Sequence, residues 1–180
     1  MILYLVRHGE TLNNKLGLVQ GRLEADLTDK GAKDAEELKE LISKLDIDVV
    51  ISSPLKRAID TAKIITDNKY PINIDDRIIE RSWGMSEGVK VSDIGEARTK
   101  ERLDVYLNTS EGMIESVQDF LARLSEFIED IKVRYKDSKV LVVAHSAVLR
   151  GIHYILNGIP EDGDLTKIEI PNLRIIEYKL

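Results

Sequence analysis

Residues 2–11 read ILYLVRHGET, a short apolar run followed by Arg7-His8-Gly9-Glu10-Thr11. An apolar run without polar alternation suits a strand covered on both faces, as in a parallel sheet. Two further runs have this character, IDVVI at 47–51 and KVLVVA at 139–144. Between them, apolar residues recur at three- and four-residue steps, the spacing of one helix face. Ala32, Ala35, Leu38, Leu41, Ile42 and Leu45 form such a stripe after a Thr28 cap. Leu55, Ala58, Ile59, Ala62 and Ile65 form another, with Ser53 expected as N-cap and Pro54 at the first helical position. Val117, Phe120, Leu121, Leu124, Phe127, Ile128 and Ile131 make the clearest stripe, with Ser116 before it as cap. Val148, Leu149, Ile152 and Leu156 make a shorter one. The tail LRIIEYKL at 173–180 reads as a further strand at an edge. This alternation predicts an α/β fold, a three-layer sandwich with a mostly parallel central sheet flanked by helices.

At 180 residues the chain is expected to form a single domain over 1–180, since no repeat or linker divides it. Residues 84–114, Gly-containing, charged and weakly helical around 96–107, are expected to make a small cap-like insertion over one end of the sheet. A hydrophobic share of 43% is too high for a disordered chain. The net charge of −6 leaves no basic surplus for nucleic acid or an anionic membrane. No apolar stretch is long enough to span a bilayer, and the first residues do not read as a signal peptide. The absence of cysteine excludes disulfides, thiolate metal sites and a cysteine nucleophile. A cytoplasmic setting fits best, and oligomeric state has no signature.

Ligands of open parallel sheets bind beyond the carboxyl ends of the strands, where helix N-termini converge. Here those ends carry Arg7-His8, then Ser52-Ser53-Pro54 leading to Arg57, and then His145-Ser146. Two arginines and two of the three histidines therefore fall at strand–helix junctions that the fold brings together. An oxyanion is the natural ligand, held by guanidinium forks and backbone N–H groups. An Arg-His pair alone is usually a surface feature; the coincidence at several junctions is what argues for a site. His153 lies off its helix stripe and is read as structural.

These segments resemble the histidine phosphatase superfamily, the group containing the cofactor-dependent phosphoglycerate mutases. LVRHGET at 5–11 resembles its opening signature, Asn14 and Gln20-Gly21 the loop that follows, and DLTDKG at 26–31 the next helix start. SSPLKRAIDTA at 52–62 is similar to the second-arginine motif, IIERSWGMSEG at 78–88 to the acid-carrying segment, and VVAHSAVLR at 142–150 to the second-histidine motif. The resemblance implies that His8 is a nucleophile carrying the phosphoryl group as phosphohistidine. Arg7, Arg57 and His145 then hold the non-bridging oxygens, and Glu80 is the general acid and base. Without the motif, Glu80 reads as a surface carboxylate paired with Arg81, and Glu10 and Glu87 are its rivals. Thr11, Asn14, Gln20, Gly21, Trp83 and Ser146 are the expected substrate-binding residues. No metal and no cofactor is expected; two histidines without cysteine or an evident carboxylate partner make a poor zinc site.

Departures from the family pattern bear on substrate preference. Leu18 replaces a usual arginine, for which Arg22 is a substitute, and Ser146 replaces a glycine after the second histidine. The insertion and the tail are shorter than those of the mutases. The resemblance thus implies a metal-independent phosphatase acting on a small phosphorylated metabolite, such as a sugar phosphate, phosphoglycerate or α-ribazole 5′-phosphate. The alternatives are a phosphoglycerate mutase-type isomerase and a non-catalytic phosphate or phosphoprotein binding module. Lys90, Arg98, Lys100 and Arg102 are candidates to contact a second acidic group, or equally a solvated helix face.

Overall fold

The computed structural model describes residues 1–94, 104–106 and 110–180. Among the described residues there are five strands: β1 (Ile2–Arg7), β2 (Val49–Ser52), β3 (Ile72–Ile74), β4 (Lys139–Ala144) and β5 (Ile175–Lys179). They form one sheet in the order β3-β2-β4-β1-β5. The first four run parallel, and β5 closes the edge antiparallel to β1. The α-helices among the described residues are α1 (Leu12–Lys15), α2 (Asp29–Ser43), α3 (Lys56–Ile65), α4 (Val91–Ile94), α5 (Val117–Arg134) and α6 (Ser146–Asn157).

Side chains alternate across a strand, so unbroken apolar runs feed two cores at once. Leu3, Leu5, Val140 and Val142 pack against Phe120, Leu124, Phe127 and Ile152 of α5 and α6. Tyr4, Val6, Leu141 and Val143 face Ala35 and Ile42 of α2, and Ala58, Ala62 and Ile65 of α3, on the other side. This is the predicted three-layer α/β sandwich. Strand β3 was not foreseen: it has three residues, pairs only with β2, and Asn73 and Ile74 are exposed. Leu41, placed in the α2 stripe by its spacing, is half exposed.

The caps follow the sequence at two helices and depart from it at a third. Thr28 Oγ1 accepts from Gly31 N at 3.0 Å, and Ser116 Oγ from Asp119 N at 3.0 Å. Helix α3, by contrast, starts at Lys56 with Leu55 as N-cap and no side-chain cap. Ser53-Pro54 still follows the sheet end there, and the Ser53 hydroxyl is engaged elsewhere. The described part of 84–114 holds a 3-10 turn at Gly84–Ser86, helix α4, a bridge from Asp104 to Asp164, and a second turn at Glu111–Met113. The expected weak helix around 96–107 lies largely outside the described residues. Among the described residues, no helix is long and apolar enough to cross a membrane.

Strand register sets the level of the functional residues. Arg7 pairs with Ala144 and Ser52 with Val143, so His8, Ser53 and His145 leave the sheet side by side. The ladder continues one step further, with His8 N donating to Ala144 O and Ser53 N to Val143 O, each at 3.0 Å. The loop after His8 then presses on the start of α2. A Cβ at Gly31 would lie 2.2 Å from Glu10 O, and one at Gly9 would lie 2.9 Å from Gly31 O. Gly31→Ala is therefore expected to destabilise the fold by about 1–3 kcal/mol through overpacking against backbone that cannot yield. Urea denaturation beside exposed Lys33→Ala, which should leave stability unchanged, checks this.

Candidate active site

His8 is buried, and its Nδ1 lies 2.8 Å from the Gly9 carbonyl oxygen. A carbonyl only accepts, so Nδ1 carries the proton and Nε2 of the neutral ring keeps a free lone pair. Burial holds the imidazole pKa well below its ordinary value, reinforced by Arg57 and Arg7 and partly opposed by the Gly9 bond. The ring is thus neutral at neutral pH. Asn172 Nδ2 donates to His8 O at 2.7 Å, and Gly9 N to Thr61 Oγ1 at 3.0 Å, so the backbone on both sides is held.

Both arginines are anchored through their terminal nitrogens. Arg7 Nη1 donates to Ile170 O at 2.6 Å, and Arg57 donates to Leu23 O at 2.8 Å and Gly21 O at 2.6 Å. Each Nε, however, is buried without a partner, and so is His145 Nδ1. Those three are the buried side-chain nitrogens or oxygens left without a hydrogen bond among the described residues. Leaving such groups bare is costly, and native proteins do so mainly where a ligand will complete them. The His145 ring lies behind His8, with centroids 5.1 Å apart, and its Nε2 is 2.6 Å from Ser53 Oγ.

Glu80 follows the 3-10 turn at Asp76–Ile78 and is buried. Its carboxylate accepts from Arg81 N at 2.8 Å and from Ala147 N, in the first turn of α6, at 3.4 Å. Burial raises its pKa, and the pull of those N–H groups and of Arg57 and Arg7 does not cancel the effect. The Arg81 side chain points away from it, donating to Glu115 O at 2.9 and 2.6 Å. The rival acids are tied elsewhere: Glu10 Oε1 accepts from Thr28 Oγ1, and Glu87 Oε1 from Trp83 N.

Arg7, His8, Arg57 and Glu80 share the wall of one cleft of about 170 Å³. Asn14, Val19, Gln20, Gly21, Trp83, Val91 and Ile94 complete it. A full-length comparison decides what this cleft belongs to: the family profile of the histidine phosphatase superfamily (branch 1) matches residues 3–180. The chain belongs to that superfamily. It is 34% identical to phosphoserine phosphatase 1 of Hydrogenobacter thermophilus, over 92% of this chain and 78% of that protein. It is 30% identical to the metal-independent phosphoserine phosphatase of Arabidopsis thaliana, over 97% of this chain and 76% of the relative. Among solved structures, Bacillus stearothermophilus YhfR superposes with a TM-score of 0.89 at 27% identity, covering 99% and 91% of the two chains. As a histidine phosphatase, this chain is a phosphoric monoester hydrolase.

Within this histidine phosphatase, Asn14, Gln20, Gly21 and Trp83 line the cleft as expected, whereas Thr11, Ser146 and the fully buried His145 do not. Thr11 is fully buried; its hydroxyl donates to Gln20 Oε1 at 2.8 Å and caps α1, so it shapes the loop that supplies Asn14 and Gln20. Arg22, the expected substitute for Leu18, reaches away from the cleft instead. It donates to Glu80 O at 3.1 Å and pairs with Glu115 at 3.2 Å. Glu115 also holds Arg123 of α5 at 2.7 and 2.9 Å. His153 bonds the Tyr178 hydroxyl at 2.7 Å, away from the site. Arg98, Lys100 and Arg102 lie outside the described residues. Sequence reasoning missed Ser53 as a partner of His145, and missed Asn172 as the brace of the His8 loop.

A carboxyl whose pKa is raised on folding adds stability at low pH that is lost as pH climbs through the raised value. Glu80→Gln removes that loss. The variant is expected to match the wild type near pH 4 and to exceed it in stability at pH 7.5, as read from paired urea titrations.

Proposed function

We propose that this phosphatase hydrolyses a small phosphomonoester through a phosphohistidine on His8, with Glu80 moving the proton. The observation that carries the reading is the neutral His8, on one cleft wall with Arg7 and Arg57 and with its ring 5.1 Å from that of His145, together with the three buried nitrogens that lack partners, Arg7 Nε, Arg57 Nε and His145 Nδ1. Phosphoryl transfer needs positioning and charge stabilisation more than covalent chemistry from the protein, and this cluster offers both. In the first step the Nε2 lone pair forms the N–P bond as the ester P–O bond breaks in line. The departing alkoxide takes the Glu80 proton and leaves as the alcohol. In the second step a water oxygen attacks phosphorus and gives its proton to the Glu80 carboxylate. The N–P bond then breaks, its electron pair returns to Nε2, and inorganic phosphate leaves.

Arg7, Arg57 and His145 hold the non-bridging oxygens throughout. The bound dianion's charge further favours the protonated form of Glu80 that the first step requires. Residues 84–94 act as the described part of a cap, placing Val91 and Ile94 against the alcohol portion. The arginines supply the positive charge that a metal otherwise would, consistent with the relative named metal-independent. O-phospho-L-serine is the first substrate to test, because relatives carry that name. Sugar phosphates, phosphoglycerate and α-ribazole 5′-phosphate complete the panel, and the enzyme is placed in the cytoplasm.

Hydrolysis of p-nitrophenyl phosphate from pH 5 to 8 with EDTA present should proceed in the wild type. It should fall on the order of 10⁴-fold or more in His8→Ala. In kcat/KM, which reports formation of the phosphoenzyme, Glu80→Gln should lose roughly 10²–10⁴-fold on O-phospho-L-serine, whose alkoxide must be protonated, and far less on p-nitrophenyl phosphate. Turnover retained in His8→Ala would sink the phosphohistidine route. An equal loss in kcat/KM on both substrates would remove Glu80 from the proton-donor role.

A further inference from the structure

We infer that Ser53 is a positioning residue that fixes the tautomer of His145, donating its hydroxyl proton to Nε2 so that Nδ1 is the N–H donor. Hydrogen-bond accounting carries the assignment. The Ser53 hydroxyl has one proton to give, and it already accepts from Leu55 N at 3.3 Å. Its one other contact is His145 Nε2, at 2.6 Å. Were Nε2 protonated, the buried Ser53 proton would have no acceptor among the described residues, although both side chains are fully buried. A neutral imidazole holds a single proton, so giving Nε2 the acceptor role places that proton on Nδ1.

Nδ1 is the nitrogen without a partner. As an N–H it complements a phosphate oxygen; as a bare lone pair it would repel one. Strand pairing makes the contact obligatory. Ser53 N donates to Val143 O, two residues before His145, so β4 delivers both side chains to one point. Helix capping, the role its Ser-Pro context implied, is filled by Leu55 instead.

The significance for catalysis rests on the proposed reading of His145 as a phosphate ligand, and the test separates the two. The chain has three histidines, so ¹⁵N-histidine labelling with long-range ¹H–¹⁵N spectra resolves each ring, with His153→Asn used for assignment. The wild type should show His145 protonated at Nδ1 and bare at Nε2. In Ser53→Ala this preference should be lost, and in Ser53→Thr it should be retained. Competitive inhibition by inorganic phosphate should weaken about 10-fold in Ser53→Ala and recover in Ser53→Thr, the scale of one lost hydrogen bond to a charged group. A wild-type ring protonated at Nε2, or an Nδ1 proton that persists in Ser53→Ala, overturns the inference without any variant activity being needed. A tautomer change with unaltered phosphate inhibition upholds the positioning by Ser53 and overturns the ligand role of His145.

Discussion

Strand β4 lies between β1 and β2 and pairs in parallel with both. This single arrangement brings together chain segments that are far apart in sequence. His8, Ser53 and His145 each leave the sheet one residue beyond a paired strand end, so their relative heights are set by ladder hydrogen bonds rather than by loops. A slip of one residue in β4 would turn its core faces inside out. The apolar residues that face α5 and α6 on one side, and α2 and α3 on the other, therefore fix the register of the site as well as the fold.

The cost of the arrangement is electrostatic. Two guanidinium groups and two imidazoles are packed where water is scarce, and the protein compensates only in part. Backbone carbonyls of Leu23 and Gly21 accept from Arg57 Nη1 and Nη2, and that of Ile170 from Arg7 Nη1. Both histidines are held neutral, chiefly by burial and then by the arginines. The nitrogens left over face no protein acceptor. In the proposed reading, an incomplete site of this kind is a reservoir of binding energy for an anion, at a cost to the stability of the fold. Glu80 belongs to the same balance: its carboxylate gets two N–H donors, yet burial still dominates.

Much of this was legible because the chemistry sits at strand ends. Runs such as 2–6 and 139–144 announce strands covered on both faces, and the residues just beyond them are then fixed in place by the architecture. What was not legible depends on contacts across long stretches of chain. Ser53 reads locally as a helix cap, since a Ser-Pro pair before an apolar stripe fits that pattern; its partner is 92 residues away. Asn172 braces His8 from 164 residues away and has no periodic signal of its own. Thr11 and Ser146 sit within motifs that border the cleft, but sequence adjacency does not say which side chains reach it. Strand β3 is too short and too exposed to leave an apolar run.

The ion-paired knot at Glu115 has a mechanical meaning. Its carboxylate grips Arg123 on α5 and Arg22 on the opposite loop, and Arg22 in turn clasps the Glu80 carbonyl. The backbone of Glu80 is thereby riveted to α5 and to the loop that carries Arg22. Residues 88–91 are laced to the loop that carries Arg22: Val19 N donates to Val89 O at 2.9 Å, Gly88 N to Val19 O at 2.8 Å and Val91 N to Gly17 O at 2.9 Å. The 17–22 loop is thus a common strut for the Glu80 backbone and for the wall that Val91 and Ile94 form, so a change that remodels one is transmitted to the other.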